Sequence, residues 1–158
     1  MKSDNCIKAP DCPVYSDLPS IFLAGGITGC PDWQNKVSRW LHGHDVMVLN
    51  PRRDNFPLDD PSAAYDQIKW ERTYLRNANV ILFWFCAEAI QPIALFELGH
   101  WSSTHKPLSV GCDPCYPRAN DVIIQLGLAR PDFTIHHNLE DTVKEAVRLC
   151  GISNFTIR

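Results

Sequence analysis

Apolar positions recur along this chain in short bursts, separated by glycine, proline and polar clusters. "IFLA", 21–24, reads as a buried strand ended by Gly25 and Gly26. "PDWQNKVSRWLHGH" then sets Trp33, Val37, Trp40 and Leu41 at helical spacing. "VMVLNP" is a second strand stopped by Pro51, and "RRDNFPLDDP" is a polar loop. "SAAYDQIKWERTYLRNA" predicts a helix with Ser62 as its N-cap and with Ala64, Ile68 and Leu75 on an apolar stripe. "NVILFWF" is apolar nearly throughout, which fits a strand covered on both faces, as in parallel sheets. "PIALFELGHWSST" predicts a helix with proline in its first turn, where a missing N–H costs little. Beyond it, "PLSVG" reads as a strand, "ANDVIIQLGLA" as a helix and "FTIHH" as a fifth strand. "NLEDTVKEAVRLC" closes the series as a helix bracketed by Asn138 and Gly151.

Strands that alternate with helices predict an α/β fold: a Rossmann-like, doubly wound sheet of about five parallel strands with helices on both faces. Residues 1–20, rich in proline, serine and aspartate, read as an extended or poorly ordered lead-in to one domain spanning 21–158. Ligands of such sheets bind beyond the carboxyl ends of the strands. That rule selects Gly25, Gly26 and Thr28 after the first strand, Asn50 and Arg52 after the second, and the loop from Phe85 to Gln91 after the third. Glu97 follows within the first two turns of the next helix. The helix dipole there favours its ionised form, and its apolar neighbours disfavour it by desolvation. Glu71 is a second acid, with Gln67 one turn earlier and Trp70 beside it. Each residue also has a plainer reading. The glycines serve as turn residues, Glu97 as a dipole-complementing acid, and Glu71 as a surface acid beside Arg72 or Lys69. Trp33 and Trp70 fall near loops where a ring can stack on a base, or they are core.

Composition narrows the classes. A chain of 158 residues with 45% hydrophobic and 21% charged residues is an ordinary globular composition. A net charge of −3, with no basic run longer than Arg52–Arg53, argues against extended nucleic-acid contact. The apolar run Val80–Ala87 is far shorter than the ~20 residues a bilayer span needs. The opening segment lacks the apolar core of a signal peptide, so no membrane partner and a cytoplasmic location are expected. "GGITG" matches neither the dinucleotide fingerprint nor the P-loop, and no cofactor is expected. Seven cysteines are an odd number for a disulfide scaffold, and the lone "CDPC" pair, Cys112 and Cys115, reads as a proline-flanked loop, with no metal expected.

Taken together, "IFLAGGI", "NP", "QIKWERTYLRNANVILFWF" and "PIALFELGHWSSTHKPLSVG" resemble the nucleoside 2-deoxyribosyltransferase family, particularly its divergent transferase-like branch, over roughly residues 21–128. The resemblance implies a flavodoxin-like sheet and a small-molecule nucleoside or nucleotide as substrate. It implies Glu97, the acid of "FELG", as nucleophile, and Glu71, where many members have aspartate, as the group that assists departure of the base. Ala24, Gly25, Gly26 and Ile27 would frame the nucleoside, with Trp33, Asn50, Arg52, Gln67 and Gln91 as further substrate contacts. Many members carry aspartate six residues before the nucleophile, followed by a Gly-Thr-like turn, whereas this chain has Gln91, Pro92, Ile93 and Ala94. Family members are usually oligomers whose sites borrow residues from a neighbour, so a homo-oligomer is expected, with Asn120, Asp121 and Gln125 as candidate contributors. The resulting expectation is transfer of the sugar to another base through a glycosyl-Glu97 intermediate. The alternatives are a nucleoside 5′-monophosphate N-glycosidase, in which water takes the sugar, and a non-catalytic nucleotide-binding module. An Arg52 reaching the sugar's 5′ side would favour the monophosphate.

Overall fold

The computed structural model describes residues 5–14 and 16–157; residues 1–4 and 15 of the lead-in and residue 158 lie outside the described residues. Strands β1 (Cys6–Lys8), β2 (Ser20–Gly25), β3 (Met47–Asn50), β4 (Val80–Phe85) and β5 (Leu108–Cys112) form one sheet in the order β1-β3-β2-β4-β5. Every pairing is parallel. The helices are α1 (Trp33–Leu41), α2 (Pro61–Asn77), α3 (Pro92–Ser102), α4 (Ala119–Ala129) and α5 (Leu139–Leu149).

Alternate residues of each strand feed two apolar layers, as the pleat dictates. Phe22, Ile81, Phe83 and Val110 pack with Trp70, Leu98 and Leu126 beneath α2, α3 and α4. Ile21, Leu23, Leu82 and Trp84 pack with Val37, Leu41, Val143 and Val147 beneath α1 and α5. The sheet is therefore doubly wound, and β4 is buried along its whole length, in keeping with its uninterrupted apolar sequence. The chain leaves β2 toward β3 on one side and returns to β4 on the other. The strand order thus reverses between β2 and β4, where a crevice opens beyond their carboxyl ends.

Four details differ from the sequence reading. The fifth strand comes from the lead-in: Cys6, Ile7 and Lys8 pair with Val48, Leu49 and Asn50 at the sheet edge. "FTIHH" contributes one isolated bridge, His136 to Gly111, because the helix N-cap at Asn138 follows too closely for a ladder to extend. Helix α2 starts at Asp60, not Ser62: the Asp60 carboxylate accepts from the Ser62 backbone N–H at 2.9 Å, and Pro61 takes the first helical position. The buried positions of that helix are Ala63, Trp70 and Leu75, while Ala64 and Ile68 are exposed. Among the described residues, no helix is long and apolar enough to cross a membrane.

Candidate active site

A cavity of about 520 Å³ occupies the crevice at the strand reversal. Its floor is Phe22 and Ala24 of β2 with the following loop Gly25, Gly26, Ile27 and Thr28. Pro51, just after β3, closes one side, and the β4–α3 loop with Ala89, Ile90 and Gln91 closes another. Glu71 of α2 and Glu97 of α3 enter from above, both half-buried, and they are the charged residues of the wall. No cationic side chain is among its described lining.

Local structure sets the position of each acid. Pro92 and Gln91 open α3, and the Leu95 N–H donates to the Gln91 carbonyl in its first turn. Glu97 then falls on the side of α3 that looks down into the crevice, while Ala94 and Leu98 anchor the helix to the sheet. Glu71 lies beside the buried Trp70, whose indole N–H donates to the Asp11 carbonyl at 2.7 Å. This bond ties α2 to the amino-terminal segment. Gln67, one turn before Glu71, donates through Nε2 to the Glu71 carboxylate and to the Pro51 carbonyl, each at 2.8 Å. It holds the acid from behind and stays off the cavity wall.

The two acids sit in different electrostatic settings. Burial pushes the Glu97 carboxyl up to about 8, and the nearby charge of Glu71 adds to that rise. Desolvation therefore outweighs the helix dipole that the sequence places against it. Burial also raises Glu71, and the hydrogen bond from Gln67 works in the opposite direction by stabilising its ionised form. Glu71 thus has the Gln67 amide to stabilise its charge, and Glu97 has no such donor among the described residues.

The glycine loop is held from beneath. The Trp33 indole N–H and Gln34 Nε2 each donate to the Gly26 carbonyl at 3.1 Å. A Cβ on Gly25 would meet the Trp84 carbonyl oxygen at 2.3 Å, and one on Gly26 would meet Cys30 Sγ at 2.3 Å, so both positions require glycine by close approach.

Ala24, Gly25, Gly26, Ile27, Glu71, Gln91 and Glu97 thus line one cavity. Trp33, Asn50 and Arg52 do not line it. Trp33 is 3% exposed and lies under the glycine loop. Asn50 is fully buried, and its side-chain oxygen accepts from the Arg52 N–H at 2.9 Å. The Arg52 guanidinium turns toward the loop before α1, donating to the carbonyls of Pro31 at 2.8 Å and Cys30 at 3.1 Å and to Gln34 Oε1 at 3.2 Å. Asp121 and Gln125 border a separate groove between α3 and α4, and Asn120 is exposed beside them. Sequence reasoning missed the apolar lining Phe22, Pro51 and Ile93. The signal available for Ile93 was its place one turn before Glu97. Among the described residues, no group of three or more His, Cys, Asp or Glu side chains is arranged to hold a metal ion.

Comparison with known families gives one match. The model of a family described as "nucleoside 2-deoxyribosyltransferase like" covers residues 18–116, more than half of the chain. That span contains β2 to β5, the glycine loop and both acids. No curated protein matches the chain.

Proposed function

We propose, for a chain that belongs to the nucleoside 2-deoxyribosyltransferase-like family, that it breaks the N-glycosidic bond of an uncharged nucleoside and passes the sugar to a second base through an ester on Glu97. One observation carries the reading: two carboxylates with raised pKa values face one cavity at the strand reversal, and the remaining described lining is mostly apolar and carries no charge.

Cleavage of this bond builds positive charge at the anomeric carbon and negative charge on the departing base. Ionised Glu97 attacks the anomeric carbon as the carbon–nitrogen bond lengthens, and its charge stabilises the oxocarbenium-like transition state. Glu71 supplies a proton to a base nitrogen as the bond electrons leave with the base. Productive binding sets carboxylate at Glu97 and acid at Glu71: the electron-poor anomeric carbon favours the first, and the basic ring nitrogen favours the second. In the second half a nitrogen of the incoming base attacks the anomeric carbon, the bond from that carbon to the Glu97 oxygen breaks and releases the carboxylate, and Glu71 takes the proton that the base nitrogen loses. Water in place of the second base would give hydrolysis with the same two residues.

The lack of a cation in the described wall, with Arg52 engaged elsewhere, favours a 5′-hydroxyl over a 5′-phosphate. The test is incubation with deoxynucleosides and deoxynucleoside monophosphates, with and without an acceptor base, followed by chromatography. The expected result is free base from nucleosides, and a new nucleoside when acceptor is present. Ligand binding without release of base from any donor would leave a binding module and remove the enzyme.

We further propose a homo-oligomer in which Asn120, Asp121 and Gln125 of one copy approach the cleft of another. Exposed Ile124 and Leu128 on the same helix and exposed Ile93 and Phe96 beside the acids support this arrangement. Sedimentation at micromolar concentration is expected to show an assembly, and a monomer that turns over substrate would contradict it.

A further inference from the structure

The side chain of Gln91 is a cavity-wall group whose hydrogen-bonding capacity is almost fully engaged inside the protein. Its Oε1 accepts from the Gly26 backbone N–H at 2.8 Å, and its Nε2 donates to the carbonyls of Cys86 at 2.8 Å and Ala89 at 3.1 Å. These three partners fix the orientation of the amide. Reversing it would set the oxygen against two carbonyl oxygens and the NH₂ group against an N–H. The residue is 7% exposed, so the bonds form in a dry setting where losing one leaves a buried group unpaired.

Its backbone makes the choice of glutamine more telling. Gln91 has φ 58 and ψ 59, a left-handed conformation that glycine or asparagine adopts more readily. Glycine offers no side chain for these bonds, and asparagine is a methylene shorter. The Gly26 carbonyl is already held by Trp33 and Gln34, so the Gln91 bond fixes the remaining polar backbone atom of that residue. On its other side Gln91 leads directly into α3, which carries Glu97. The Tyr116 hydroxyl donates to the neighbouring Ile90 carbonyl and steadies the same loop.

We infer that Gln91 is a positioning residue: one carboxamide braces the glycine loop against the start of α3 and so sets where the sugar lies relative to Glu97, while leaving the base unread. The inference rests on the glycosyl-transfer reading above. It deepens that reading by keeping the Gln91 amide out of base recognition, so its loss affects donors with different bases alike.

The test uses Gln91→Met, which keeps chain length and removes the carboxamide's hydrogen bonds, and Gln91→Glu, which keeps the acceptor for Gly26. A purine and a pyrimidine deoxynucleoside serve as donors. In Gln91→Met, kcat is expected to fall by about 10- to 100-fold by the same factor for both donors, with KM nearly unchanged, because misplacement by a fraction of an ångström slows attack. Hydrogen exchange at the Gly26 amide is expected to quicken. Gln91→Glu, whose protonated carboxyl reproduces one acceptor and one donor, is expected to regain activity relative to the parent as pH is lowered. It also serves if Gln91→Met does not fold. A loss confined to one donor, or a raised KM at unchanged kcat, would show that Gln91 touches the base and would overturn the inference. Unchanged Gly26 exchange would overturn it as well. If the parent releases base from neither donor, the glycosyl-transfer reading fails and the catalytic role of Gln91 fails with it. Gly26 exchange then reports separately whether the brace exists.

Discussion

Glu97→Gln is expected to lower base release by about 10³-fold or more, the scale of removing a nucleophile that works with partner groups. The same change is expected to raise the unfolding temperature. Glu97 is a carboxylate held among apolar groups and beside a second acid, so its ionised form is destabilised in the folded protein. Glutamine has nearly the same shape and no charge to desolvate. The gain in stability should grow with pH, because more of the parent's Glu97 is then ionised. Chromatographic assay and thermal unfolding on one preparation check both halves. A variant both inactive and less stable would mean that Glu97 acts as a packing or hydrogen-bonding residue instead. Gain of stability on loss of a catalytic group is the expected mark of a strained site.

The second large effect is in the dependence on pH. Glu97 rises from its ordinary 4.5 to about 8 in the folded chain. Between those values the folded state binds more protons than the unfolded state. Stability from this group is therefore complete below pH 4.5 and is lost as pH rises through 8. The loss should amount to roughly 2–4 kcal/mol, less than the full shift implies because the side chain keeps some contact with solvent. Glu97→Gln should flatten that part of the stability profile. Activity should move the other way on the acid side, with kcat/KM rising toward pH 8 as Glu97 loses its proton. Because the electron-poor anomeric carbon of a bound sugar favours ionised Glu97, the acid limb of kcat should lie below that of kcat/KM. Glu71→Gln should shift the acid limb of kcat/KM downward, since the charge of Glu71 is one cause of the rise at Glu97. Coincident acid limbs in the parent would contradict this effect of the bound sugar.

The features legible in the sequence were those set by local rules. "NVILFWF" reads as a doubly covered strand because each of its residues needs an apolar neighbour, and it proved to be β4, an interior strand buried along its whole length. The glycines after "IFLA" and the acid of "FELG" were found through the rule for strand ends, which depends on topology and not on side-chain contacts. Features that depend on distant partners were not legible. Cys6–Lys8 forms a strand because β3 presents a free edge, and nothing within the lead-in announces this. Arg52 looked free to meet a phosphate, yet two carbonyls in the loop before α1 and Gln34 Oε1 on that helix are close enough to take its guanidinium. Gln91 looked like a lost acid. Its partner at Gly26 is 65 positions away in the chain, and the bond between them is visible only once β2 and β4 lie side by side.

Charge also links the two halves of the site. Gln67 favours the ionised form of Glu71, and the charge of Glu71 together with burial disfavours the ionised form of Glu97. A mostly apolar lining with no cation among its described residues strengthens both effects and leaves the two carboxylates as its main electrostatic feature.

The central claim is that the sugar is carried on Glu97, and intact-protein mass spectrometry tests it most directly. The protein is mixed with a 2′-fluoro-2′-deoxynucleoside, whose electron-withdrawing fluorine slows breakdown of the ester, and the digest is searched for a modified peptide. The account predicts an added mass equal to the fluorosugar, located at Glu97 and lost in Glu97→Gln. Base release from the parent with no sugar on the protein, or with the sugar on another residue, would contradict it.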